Sequence, residues 1–142
     1  MNQRLFGVLV RGFILLAVIP VHECAHAVVS GWLGDDTAKL MGRNTLNPLA
    51  HLDPVGSLLL LLTGFGWAKP VPISGRGFQN FKRDMALTAL AGPAANVLLA
   101  LVFAIVYKVS AHFIPYSLWG QLFVWIAIWN TLALAVFNLI PI

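Results

Sequence analysis

Two histidines four residues apart flank a glutamate in His22-Glu23-Cys24-Ala25-His26, the spacing that lets neighbouring helix turns share one metal ion. On a helix the two imidazoles lie about 40° apart around the axis and roughly 6 Å apart along it. Both can reach a tetrahedral zinc ion at about 2.0–2.1 Å per bond. Glu23 falls about 100° round from His22, near enough to reach a coordinated water without binding the metal. Neutral imidazoles hold zinc, zinc lowers the pKa of a coordinated water toward about 7, and a carboxylate can take the proton as a carbonyl is attacked. The chemistry this residue set suits is metal-assisted hydrolysis of a peptide bond, with one Zn²⁺ per chain.

The competing reading, two incidental histidines and a buried acid, is weak here. Glu23 is the sole glutamate of the chain and sits inside an apolar stretch. There an ionisable group costs several kcal/mol, which marks it as a functional candidate. Cys24 points away from the histidine face and reads as a small packing residue. A lone cysteine also excludes an internal disulfide and a Cys-x-x-Cys metal site, which leaves histidine and carboxylate as ligands. A catalytic zinc takes a third protein ligand. Asp53 and His51 qualify by residue type, but Asp53 before Pro54 also reads as a helix cap and His51 as a loop residue. Asp35 and Asp36 follow Gly34 and read as exposed loop positions.

The elements that position these groups are written in the composition. Of 142 residues, 59% are hydrophobic and 10% charged, far from the soluble average of about half apolar and a quarter charged. So much apolar surface needs lipid as its solvent. The net charge of +4 is scattered among apolar segments and forms no stripe, so it reads as an orientation signal and excludes a nucleic-acid binder. Arg4 before an apolar run resembles a secretory signal, but no small-residue cleavage site follows it.

Apolar segments run over about Leu5–Leu33, Pro54–Phe65, Met85–Val109 and Ser117–Ile140. Three of them reach the roughly 20 residues that cross a bilayer; the second is too short. The expected fold is therefore an all-α polytopic membrane protein with three spanning helices and a short re-entrant or peripheral element, in a single domain over 1–142. The short element has to dip in and return, because only then do the ends of the first and last segments and the start of the third meet at one depth. Region 34–84, with Lys39, Arg43, Lys69, Arg76, Lys82 and Arg83, then lies on the cytoplasmic side by the positive-inside rule. Charge counting by itself favours the spanning alternative equally; the placement of the motifs decides.

At this point the ordered motifs resemble the site-2 protease family of intramembrane zinc metalloproteases, in its compact bacterial branch without a PDZ domain. Besides the histidine motif they are Gly34-Asp35-Asp36-Thr37-Ala38, the run from Gly42 to Pro54, Gly66-Trp67-Ala68-Lys69-Pro70-Val71-Pro72, Ala91-Gly92-Pro93-Ala94-Ala95-Asn96 and Phe137-Asn138-Leu139-Ile140-Pro141. The resemblance implies His22 and His26 as metal ligands, Glu23 as catalytic base, and Asn138 as a residue that positions substrate or stabilises the oxyanion. It also implies a third ligand, an aspartate about four residues beyond Ile142, so that the chain reads as a protease core incomplete at its C-terminus. Gly92 and Pro93 suit a kink and close helix approach, and Asn96 suits a hydrogen bond between helices.

The implied activity is zinc-dependent endopeptidase cleavage in or near transmembrane segments of other membrane proteins. The implied setting is a bacterial cell membrane, with the protein multi-pass and the site toward the cytoplasm. Its expected partners are the lipid bilayer and a transmembrane segment of a protein substrate. The alternatives are a non-proteolytic binding or regulatory relative of the same fold, and a transporter with a polar midplane site. The transporter reading predicts paired broken helices or repeats, which the sequence lacks.

Overall fold

The computed structural model describes residues 2–113, 120, 128–129 and 131–133. The first helix, α1, runs over Gln3–Trp32. Asn2 caps it by accepting the Arg4 backbone N–H. Its middle, Ile14–Val18, is a π-helical turn, in which the Ile19 N–H bonds to the Ile14 carbonyl. Pro20 follows within two residues and brings no N–H of its own, so the carbonyl of Leu16 loses its regular partner and the wider turn takes up the mismatch. The π turn shifts the register of everything after it, including the His22 and His26 face.

After α1 the chain makes a short helix, α2 (Thr37–Leu40), and the loop around it is fastened by Asp35. This aspartate is the exception to the exposed-loop expectation, being only 3% exposed. Its carboxylate accepts the N–H and hydroxyl of Thr37, the N–H and hydroxyl of Ser74, and the N–H of Gly75. Burial pushes its pKa up, but the hydrogen bonds from Thr37, Gly75 and Ser74 outweigh that and hold it down at about 2. Asp35 thus staples the segment after α1 to the segment before the last described helix.

The next excursion is the short apolar element. Asp53 caps α3 (Pro54–Thr63) by accepting the Gly56 N–H at 2.8 Å, and Pro54 occupies the first turn, where a missing N–H is harmless. The helix rises about 15 Å and ends at Gly64, which is left-handed at φ 88°. The chain then runs back alongside it: Leu52 bridges to Ala68, and the Lys69 N–H bonds to the His51 carbonyl at 2.8 Å. The close return needs glycine at 56, because a Cβ there would run into the Trp67 carbonyl. The segment thus comes back beside the point it left, at Leu52 and Ala68. On the way α3 packs on the N-terminal half of α1, and Arg11 donates to the Leu61 carbonyl at 3.0 Å.

The last described helix, α4, spans Phe81–Ser110 and is capped by Asn80. Asp84, Thr88, Gly92, Asn96 and Ala100 recur every fourth residue and are buried, so they form one stripe. That stripe faces α1, and α4 packs chiefly on Ile19–Trp32, the half that carries the histidines. The opposite face leaves Leu90, Leu98, Leu101, Val102 and Ile105 exposed. Both α1 and α4 are long and apolar enough to cross a membrane by length and composition. Every regular element among the described residues is a helix, and none is a strand. The expected third span, about Ser117–Ile140, lies almost wholly outside them.

Candidate metal centre

The site is assembled where α4 crosses the C-terminal half of α1. His22 is buried, His26 is partly so, and their Nε2 atoms stand 3.1 Å apart with the rings edge to face. Two nitrogens bound tetrahedrally to one zinc at about 2.0–2.1 Å would be separated by about 3.3 Å. The pair is thus close to the spacing the ion requires. The other ring nitrogens are engaged on α4. His26 Nδ1–H donates to the Thr88 carbonyl at 2.7 Å, which leaves its Nε2 unprotonated, an acceptor facing His22 Nε2. His22 Nδ1 lies 3.0 Å from the Asn96 side-chain amide, whose Oδ1 is buried with no hydrogen-bond partner among the described residues.

Gly92 makes this crossing possible. A Cβ there would collide with His26 Nε2 and stand 2.6 Å from His22 Nε2 and Cε1. The hydrogen of Gly92 therefore floors a cradle between the two Nε2 atoms, and the residues present fit a metal ion bound by His22 and His26.

Glu23 sits on the adjoining face of α1, partly buried. The backbone N–H of Val71, in the segment returning from α3, faces its carboxylate, and the Arg43 guanidinium acts on it electrostatically. Loop 42–45 reaches this side of the helix as well, with Asn44 Oδ1 4.0 Å from Cys24 Sγ. Cys24 faces that loop and not the histidine pair, as expected of a packing residue.

The structure puts the other ligand candidates to different uses. Asp53 caps α3, and His51 is fully buried with its Nε2–H donating to the Thr45 carbonyl at 2.7 Å. Asp35 serves the staple already described. Among the described residues no group of three His, Cys, Asp or Glu side chains converges on one point. Asn138 lies outside the described residues. Sequence reasoning missed the carbonyl of Thr88, the amide of Val71 and the guanidinium of Arg43. A backbone group carries no residue-type signature; for Thr88 the available signal was its place one turn before Gly92.

Two curated relatives bear on this geometry. The chain is 41% identical over 141 residues to a Bacillus subtilis protein named "Putative zinc metalloprotease YwhC", a match covering 90% of the chain and 61% of that protein. It is also 32% identical over 87 residues to a Mycolicibacterium smegmatis protein named "Putative zinc metalloprotease Rip2", covering 58% of the chain and 33% of that protein. The chain is a homologue of these two named proteins. That relationship is consistent with the site-2 protease resemblance drawn from the motifs. The chain spans about three-fifths of the length of the first relative and a third of the second. No family model matches the chain, and no solved structure matches it.

Proposed function

We propose that the protein is a zinc-dependent intramembrane endopeptidase of the site-2 protease type, cleaving peptide bonds in or near transmembrane segments of other membrane proteins. The observation that carries the reading is the His22–His26 pair. Their facing Nε2 atoms lie 3.1 Å apart, with a potential general base between them in sequence and a glycine floor beneath. Two named zinc metalloprotease relatives support it.

In this reading His22 and His26 hold the ion. Bound zinc would supply Lewis acidity, polarising the scissile carbonyl and acidifying water. The chain's own residues do the rest. Glu23 takes a proton from the attacking water and passes it to the leaving amide nitrogen, so it acts first as base and then as acid. Asn138 steadies the substrate carbonyl or the oxyanion that develops on it.

Lipid supplies little water, and a helical substrate hides its carbonyls. A site reached from the cytoplasmic side answers the first difficulty and local unwinding of the substrate the second. With α1 and α4 spanning, α3 dips into the membrane and returns beside Glu23. Region 34–84 then lies on one face, in a bacterial cell membrane. Irregular backbone at that depth is tolerated where neighbouring helices or a wet cavity cover it.

The full-length protein, purified in detergent, can be tested against a panel of fluorogenic peptides, each a 20-residue apolar segment with lysine ends. Chelation should abolish cleavage, and added Zn²⁺ should restore it together with bound metal. Cleavage that persists in metal-free protein would refute the reading.

A further inference from the structure

The two histidines are held from behind in ways that look alike but differ in one respect. His26 Nδ1 faces a backbone carbonyl, that of Thr88, at 2.7 Å, and a carbonyl can only accept. The tautomer of His26 is therefore fixed with Nδ1 protonated and Nε2 bare. His22 Nδ1 faces the side-chain amide of Asn96 at 3.0 Å, and an amide can accept through oxygen or donate through nitrogen. The amide nitrogen stands nearer the ring, while Oδ1 is buried with no partner among the described residues. That orientation would place the His22 proton on Nε2, where a metal has to bind. A half-turn of the amide, which leaves its shape almost unchanged, reverses the situation. The carbonyl oxygen then accepts from Nδ1–H and Nε2 is bare. The turn exchanges an unpartnered acceptor for an unpartnered donor and gives up the bond that His22 Nε2–H would donate to His26 Nε2 at 3.1 Å, so the metal-free pair favours the first orientation and a cation held between the two Nε2 atoms favours the second.

We propose that Asn96 is a positioning residue for His22: with metal bound, its side-chain oxygen accepts the Nδ1–H of His22 and keeps Nε2 free and aimed at the ion. The inference rests on the zinc reading of the histidine pair. Asn96 is fully buried on the α4 stripe, two turns beyond Thr88 and one beyond Gly92. A buried amide with an unmet group is costly, and an apolar residue would fill that position with less strain on folding. Its place opposite the metal-facing edge of a ligand histidine gives that cost a function, because partners behind a ligand imidazole fix its orientation and raise its basicity. The Gly92 carbonyl also lies near His22 and is the competing acceptor.

The test is Zn²⁺ affinity, measured on the full-length protein by competition with a fluorescent chelator. Asn96→Ala should weaken zinc binding about 10- to 100-fold. Asn96→Asp keeps the oxygen acceptor and loses the donor, and its affinity should stay within about threefold of the parent or tighten. The proposal is overturned if Asn96→Ala binds zinc like the parent, in which case the Gly92 carbonyl suffices. It is also overturned if Asn96→Asp loses as much as Asn96→Ala, which would make Asn96 a donor or a mere filler. Thermal melts of both variants check folding. If either fails to fold, ¹⁵N-histidine spectra of the zinc-loaded parent decide: a protonated Nδ1 and a metal-bound Nε2 on His22 are expected, and the opposite tautomer refutes the proposal. A parent that binds no zinc refutes the metalloprotease reading and this inference with it, whereas a zinc-binding parent with an unaffected Asn96→Ala refutes this inference alone.

Discussion

Replacing Gly92 by alanine adds one methyl group to the floor of the histidine cradle. The new Cβ would sit 2.6 Å from His22 Nε2 and Cε1, and nearer still to His26 Nε2, where ordinary contacts begin at 3.4 Å. The rings or the α4 backbone must therefore give way by at least about 0.8 Å, the difference between those two distances, and by more at His26. Fold and site respond differently. Alanine improves helix propensity by about 0.8–1.0 kcal/mol over glycine, while overpacking a well-filled contact costs about 1–3 kcal/mol. The net loss of stability is about 0–2 kcal/mol, and the protein stays folded. Metal sites, by contrast, tolerate only about 0.2 Å in ligand distance, and a misplacement of about 1 Å at a reacting centre costs about a hundredfold. Gly92→Ala should therefore lower Tm by a few degrees while weakening Zn²⁺ binding and cleavage by about two orders of magnitude. Chelator competition and a thermal melt on the same sample make the comparison. Zinc affinity equal to the parent's would show that the cradle is not where the ion sits.

Three further outcomes follow from the same geometry. Asp35→Ala leaves the N–H groups of Thr37, Ser74 and Gly75 without their acceptor and should destabilise the protein by about 2–4 kcal/mol, read as a lower midpoint in denaturant. Because the folded pKa of Asp35 is depressed, to about 2, its stabilising contribution is complete above the unfolded carboxylate value near 3.9 and is lost as pH falls from about 4 to 2. Hydrogen exchange at the Ser74 and Gly75 amides should accelerate in that window, and exchange independent of pH there would contradict the staple. Cysteines introduced at Lys39 and Arg76 should both react with a membrane-impermeant reagent from the cytoplasmic face; labelling from opposite faces would overturn the re-entrant placement of α3.

Much of this site was legible because helical periodicity acts on side-chain identity. The i, i+4 histidines and the adjacent carboxylate can be written down from spacing alone, and the close approach at Gly92 and the interhelical use of Asn96 from their residue types. Asp53 was legible for a similar reason, since an aspartate before a proline at the head of an apolar run has one common use. The short element was expected to return so that the other motifs could meet; the turn at Gly64 and the Leu52–Ala68 bridge show the chain doubling back, while Asn138 lies outside the described residues.

The misses share a cause. Asp35 looked like a solvated loop residue because its partners, Ser74 and Gly75, lie about forty positions further on and contribute backbone groups. Thr88 holds His26 through a carbonyl that any residue type would present. The π turn depends on how the helix absorbs Pro20, a matter of hydrogen-bond register and not of hydropathy. Local pattern announces what a side chain can do, whereas long-range pairing with backbone decides what holds it.

The most direct test of the account is Glu23→Gln in the full-length protein, with bound zinc and peptide cleavage measured on one preparation. Glutamine keeps the size and the hydrogen-bonding reach but cannot take a proton. Zinc content should match the parent while kcat falls about 10²- to 10⁴-fold. Undiminished cleavage by the zinc-loaded Glu23→Gln protein would contradict the assignment of Glu23 as the base and, with it, the peptidase chemistry proposed for this site.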